Sequence, residues 1–269
     1  MNLSASAALQ ARSIYALILR RMRSQYMGSR AGYAWAIIEP IVWVFVLKLA
    51  IRHGSASQIP PLGASYEVFF ATGVVLARAW RSSAGVVMSI VTRSKKERLP
   101  SIHRMDSVYA SWILEVITCG LALVIILAIL QVLGFNATPS DLMICLIAFA
   151  ACALLSLAFG VLFGLLIVLM PGLNHFKGIL LLIIFFTSGF SFVVDRMPSG
   201  FRNIVTWNPL LHVLELFREG FYGGYECRSL DLVYLFSFTV CALLIGMAGE
   251  RALRRHESGD TSEGDAMEF

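Results

Sequence analysis

Arg78 and Arg81 stand three residues apart inside an otherwise apolar run, Val68–Val91. On a helix that spacing puts both side chains on one face. Facing lipid, each would cost about 2.5–3.5 kcal/mol, so both must face protein or a watery path. Cations fixed along such a path can offset the charge of an acidic solute. Glu115, in the run Val108–Leu133, is the candidate partner for Arg81. It lies roughly 10 Å from the membrane face and Arg81 roughly 15 Å, at 1.5 Å per residue, so an ion pair is within reach. Arg78 has no acid at matching depth in a neighbouring run and carries the stronger functional reading. Glu39 can pair with either arginine or cap its own helix, and Lys48 is close enough to a run's end to snorkel.

Trp43 and Trp80 lie deeper in their runs than an interfacial belt explains, whereas Trp35, Trp112 and Trp207 fit such a belt. Sugar rings stack their C–H faces on aromatic planes, so Trp43 and Trp80 are candidates for lining a glycan path. Helix packing is the alternative for either.

Other chemistry has little support. The chain has no G-x-x-x-x-G-K-[ST] phosphate loop, no H-E-x-x-H and no G-x-S-x-G. Its five histidines are scattered, and its five cysteines show neither C-x-x-C nor metal-ligand spacing. The residues present read as a transport path, with no catalytic group, metal site or cofactor on this chain.

The elements that must position these charges are membrane spans. Of 269 residues, 58% are hydrophobic and 14% charged, with mean hydropathy +0.74, against about one quarter charged in a soluble domain. Six apolar runs are long enough, or nearly so, to cross a bilayer: residues 35–51, 68–91, 108–133, 142–169, 176–194 and 232–249. They predict an all-α integral membrane domain over residues 35–250. Before it, residues 1–34 hold a basic amphipathic helix. Ile14, Tyr15, Ile18, Leu19 and Met22 share one side and Arg12, Arg20, Arg21 and Arg23 the other, the pattern of a helix lying in the membrane interface. After it, residues 251–269 form an acidic, polar tail that reads as disordered.

Basic residues orient the spans. With the N-terminus inside, fourteen lysines and arginines fall on the inner segments and five on the outer, which predicts both termini in the cytoplasm. The net charge of +5 is therefore a topology signal and gives no support to nucleic-acid binding. Two connections exceed simple turns. The inner loop TRSKKERLPSIHRMD has room for a short helix after Pro100. In the outer segment Asp195–Ser229, Leu210, Leu211, Leu214, Phe217 and Phe221 recur at helical spacing after Asn208-Pro209, with Glu215, Arg218 and Glu219 as the polar side. That helix is too short and too charged to span, and reads as re-entrant or interfacial.

The segment LILRRMRSQYMGSRAGYAWAIIEPI carries Y-x-x-S-x-x-G-x-x-W leading to a proline, as Tyr26, Ser29, Gly32, Trp35 and Pro40. With Asn208-Pro209-Leu210 and then Glu215-x-x-Arg218, it resembles the permeases of type-2 ABC exporters. Within them the chain is most similar to the membrane subunits of capsular polysaccharide exporters, with O-antigen and teichoic acid exporters close by. Ala31 departs from the larger aliphatic residue many relatives carry there.

The resemblance implies a homodimer with a conduit between protomers in a bacterial inner membrane. It further implies two copies of a separate cytoplasmic ATPase that binds ATP and Mg, a lipid-linked polysaccharide substrate and a periplasmic export partner. Arg20, Arg21 and Arg23, with Lys95, Lys96, Arg98 and His103 of the Thr92–Asp106 loop, would meet the ATPase. Trp207, Asn208, Pro209, Glu215 and Arg218 would belong to paired outer re-entrant helices. A drug or peptide exporter of the same fold is the alternative reading. A stand-alone secondary transporter is a further one, against which the missing buried acid/base relays weigh.

Overall fold

The computed structural model describes residues 3–26, 60–93 and 104–266, with the isolated positions 38, 42 and 46. Every regular element among them is helical. Helix α1 (Leu3–Tyr26) precedes α2 (Tyr66–Val91), α3 (Arg104–Val132) and α4 (Leu142–Leu169). Then come the short helices α5 (Lys177–Phe186), α6 (Ser199–Val205) and α7 (Pro209–Phe221), and finally α8 from Leu232. Among the described residues, four helices are long and apolar enough to cross a membrane: α2, α3, α4 and the Leu232–Leu253 part of α8.

Local chemistry sets the ends. The Ser65 side chain accepts from the Val68 N–H at the start of α2. Asp141 caps α4 by accepting from the N–H groups of Met143 (2.8 Å) and Ile144 (3.1 Å). Asn208 caps α7, whose first residue is a proline that needs no donor partner.

Helix α2 is the hub. It packs on α3 and α4, while α4 also takes α7 and α8, and α1 lies along α3. The main core joins Phe69, Phe70, Leu76, Trp80 and Met88 of α2 to Leu155 and Phe159 of α4 and to Leu210, Leu214 and Phe217 of α7. Outward faces are apolar too: Val124 is 64% exposed, Met143 66% and Val233 80%. Apolar residues on both the core and the outer face are what a helix bounded by lipid requires.

The α2–α4 contact is close enough that a side chain on Gly160 would collide. An added Cβ would sit 2.6 Å from Val87 Cβ and 3.0 Å from the Ala84 carbonyl oxygen. Gly160→Val should therefore lower the stability of the detergent-solubilised protein by about 1–3 kcal/mol, the usual cost of overpacking. An unchanged melting temperature would show that α2 and α4 can part without penalty.

Three sequence expectations change. The fifth run, residues 176–194, is not one helix: α5 has ten residues, about 15 Å or half the apolar thickness of a bilayer. Beyond it the chain turns, because side chains elsewhere satisfy the carbonyls that further helix would have used. Second, residues 251–266 of the tail are helical, as a continuation of α8 to Ala266. Extending an existing helix avoids the nucleation cost that an isolated polar segment would face. Third, Glu215 and Arg218 form no solvated side of α7; both are buried. The first run, residues 35–51, lies outside the described residues apart from Ile38, Val42 and Val46.

Candidate functional site

Arg78 and Arg81 open into a cavity of about 540 Å³ bounded by α1, α2 and α5. Arg78, Arg81, Ser82, Gly85 and Ser89 form one stripe of α2 that lines it. Arg93, just past the helix end, continues the stripe, and Arg21 from α1 and Lys177 from the start of α5 close it. Five cationic residues thus share one space, and no acidic side chain lines it among the described residues. Arg21 feels the crowding. Burial, and then the charge of Arg93, push its guanidinium below its ordinary pKa, with Glu115 opposing. An arginine stays protonated regardless, so the cost is mainly that of burying the charge, with the repulsion from Arg93 the smaller part.

Helix α1 is held in place at two points on α3. The Arg21 guanidinium donates to the Ser111 hydroxyl, and Gln10 donates to Asp106 Oδ1 at 3.1 Å. Arg21, expected at an ATPase contact, lines the cavity beside Arg78. Amphipathic spacing identifies the polar side of a helix but says nothing of which polar residue a neighbouring helix covers. Arg20 remains exposed. Arg23 lies on α1. Trp43, Lys95, Lys96, Arg98 and His103 lie outside the described residues.

The expected Arg81–Glu115 pair is replaced by two other contacts. Glu115 accepts from the Ser82 hydroxyl, and the Arg81 guanidinium lies 5.8 Å from the Phe185 ring centroid. The hydroxyl of the adjacent residue reaches the carboxylate, which leaves Arg81 exposed toward the cavity. Trp80 does not line an open path. Its ring is fully buried and meets Phe159 edge-on at 5.1 Å, so helix packing explains it.

A second polar cluster sits where α5 gives way to turns. Arg218 Nη2 donates to the Gly189 (2.8 Å) and Phe190 (3.2 Å) carbonyls, and Nη1 to the Phe192 carbonyl at 3.0 Å. The same guanidinium pairs with Glu215 at 3.1 Å and lies 4.4 Å from the Phe69 ring centroid. Tyr225 donates to the other Glu215 oxygen at 2.7 Å. Burial, and then the Glu215 charge, push the Tyr225 phenol up, so it remains a donor. Asn208 Nδ2 donates to the Ile184 carbonyl and the Thr187 hydroxyl, each at 2.8 Å. The carbonyls that a continuing helix would have bonded are thus taken by Asn208 and Arg218, the condition for bending a chain at membrane depth. On the far side of this cluster Trp207 is 77% exposed, as an interfacial anchor would be.

These features define a class: a helical membrane protein that holds a cationic cavity at one place and a clamped chain reversal at another. The particular family follows from comparison with known proteins. The chain belongs to the ABC-2 type transporter family, whose model matches residues 12–222, as the opening and Asn208-Pro209 motifs imply. It is 25% identical to the capsule polysaccharide export inner-membrane protein BexB of Haemophilus influenzae, over 90% of this chain and 91% of that one. The polysialic acid transport protein KpsM of Escherichia coli is 26% identical over 88% of this chain and 91% of its own. An O-antigen export system permease protein, RfbA of Klebsiella pneumoniae, is 24% identical over 83% and 86% respectively.

Proposed function

We propose that this chain is the membrane-spanning permease subunit of an ATP-driven exporter moving lipid-linked capsular polysaccharide across a bacterial inner membrane. The similarity to capsule-export inner-membrane proteins along nine-tenths of both chains carries the reading. The five-cation cavity supports it, because an acidic polymer needs fixed positive charge wherever water is scarce. Two copies of the chain form the conduit, both termini lie in the cytoplasm, and a periplasmic partner receives the glycan. The chain performs no hydrolysis itself; a separate ATPase, present in two copies, binds ATP and Mg and docks on the Thr92–Asp106 loop. The similarity to an O-antigen permease makes O-antigen export the second reading.

Purification of the tagged full-length chain from its host should recover an ABC ATPase whose turnover rises with acidic capsular glycan. Reversing charge at Lys95 and Lys96 should cut ATPase recovery about tenfold while leaving the permease in the membrane, since each buried interfacial charge contact removed is worth about 1.4 kcal/mol or more. Recovery without any ATPase would overturn the reading. Stimulation by O-antigen alone would favour the second one.

A further inference from the structure

The Arg218 clamp makes no use of His212, in the first turn of α7. The His212 side chain is buried, and both of its ring nitrogens are engaged. Nε2 lies 2.9 Å from the carbonyl oxygen of Thr206, the residue that ends α6. Nδ1 accepts from the N–H of Asp231 at 3.1 Å, immediately before α8. A carbonyl can only accept and an N–H can only donate. One form of the ring therefore fits: the neutral imidazole with its single proton on Nε2. That ring fastens three elements, α6, α7 and α8. Beside it the Tyr234 ring stands edge-on, with centroids 5.3 Å apart. The Tyr234 hydroxyl donates to the Trp207 carbonyl at 2.6 Å, a second tie between α8 and the end of α6.

From this geometry we infer that His212 is a proton-operated latch: neutral, it fastens the start of α8 to the α6–α7 pair, and protonated, it releases that end. A proton added at Nδ1 would point at the Asp231 N–H and set donor against donor, so the bond must break. The inference rests on the proposed function only for the source of the proton, which on that topology is the outer compartment. Among the described residues two carboxylates bear on the ring, Asp231 from the start of α8 and Glu215 from α7, while α6 presents the Thr206 carbonyl. Asp231 caps α8 by accepting from the Tyr234 N–H at 2.8 Å, and Glu215 is taken up by Arg218 and Tyr225. Burial outweighs all three and holds the imidazole below its ordinary pKa. The sign follows: the latch contributes fully above the free histidine value of about 6.5, and the contribution is lost as pH falls from there through the lowered value. A phenol keeps its proton throughout this range. Acid therefore releases one tie and leaves the Tyr234 one, a loosening of the end of α8 rather than an unfolding.

The test is hydrogen exchange, read by mass spectrometry, on the purified full-length chain in detergent at pH 7.5 and pH 5.5. Labelling times are scaled to the intrinsic exchange rate at each pH. The amides from Asp231 to Leu235 should exchange severalfold faster at the lower pH, with about tenfold the ceiling that one proton allows over that interval. Exchange within α4 should be the same at both. His212→Asn should abolish the response, because its amide oxygen can stand where Nδ1 does and takes no proton. Asp231→Asn, which keeps an acceptor for the Tyr234 amide, should retain it. Equal exchange at Asp231 in the wild-type chain at the two pH values would overturn the inference without recourse to any variant. So would a response that survives in His212→Asn. Loss of the response in Asp231→Asn would assign the proton to that carboxylate and remove His212 from the role. Neither ATPase nor glycan enters the measurement, so its failure leaves the export reading standing, and a failed export assay leaves this one standing.

Discussion

Replacing Arg218 by alanine should destabilise the protein by about 3–5 kcal/mol, the cost of leaving the partner of a buried ion pair alone. The loss is not confined to Glu215. One guanidinium serves three backbone carbonyls, of Gly189, Phe190 and Phe192, in a place where water cannot replace it. A buried ion pair can often be exchanged for apolar residues of similar volume with little penalty. Here it cannot, because the double change Arg218→Met, Glu215→Leu would still strand those carbonyls. Arg218→Lys should rescue only in part, since an ammonium keeps the charge and loses the planar fork. Glu215→Gln should cost least, as the amide oxygen can still accept from Tyr225. The readout is the melting temperature in detergent together with protease cleavage between residues 187 and 198. Wild-type melting with full protection in Arg218→Ala would show that the reversal is held by packing alone. Gly73 offers a second handle on the same turn. A Cβ there would lie 2.5 Å from the Phe190 carbonyl oxygen, so any side chain at position 73 would push the turn off Arg218.

That reversal also marks where sequence reasoning stops. The run 142–169 coincides with α4, and the runs 68–91 and 108–133 differ from α2 and α3 by a few residues. These are long, uninterrupted apolar stretches whose backbone groups are all satisfied within one helix. Residues 176–194 are as apolar, but hydropathy counts side chains and cannot see where carbonyls find donors. The donors come from Asn208 and Arg218, up to 29 residues away, and only the folded chain brings them together. The pattern was half visible: an i, i+3 acid–base pair on an otherwise apolar short helix is costly unless it serves something buried. The cavity divides the same way. Arg78 and Arg81 were legible because charge inside a span demands a reason. Arg21, Arg93 and Lys177 each had an adequate explanation as topology signals, and only packing brings α1, α2 and α5 around one space. Trp80 failed as a path residue for the opposite reason. Depth in a span says how far a ring is from the interface and nothing of which side it faces.

Arg78→Gln combined with Arg81→Gln should reduce surface capsule at least tenfold with no loss of chain in the membrane. A charge-assisted hydrogen bond is worth about 1.5–3 kcal/mol, and tenfold corresponds to about 1.4 kcal/mol. Stability should suffer little for Arg81, whose guanidinium is exposed to the cavity beyond its contact with Phe185. Lysine at both positions should retain part of the export, because an acidic polymer needs charge along its path more than a fixed bidentate geometry. Two measurements separate a path role from a structural one. Glycan-stimulated ATP turnover should fall in the glutamine variant while basal turnover stays. The stimulation in the wild-type chain should weaken with added salt, since long-range attraction between the acidic glycan and the cavity's cations is screened at a Debye length of about 10 Å in 0.1 M salt. Wild-type capsule on cells carrying the double glutamine variant, at equal chain levels, would remove Arg78 and Arg81 from the path.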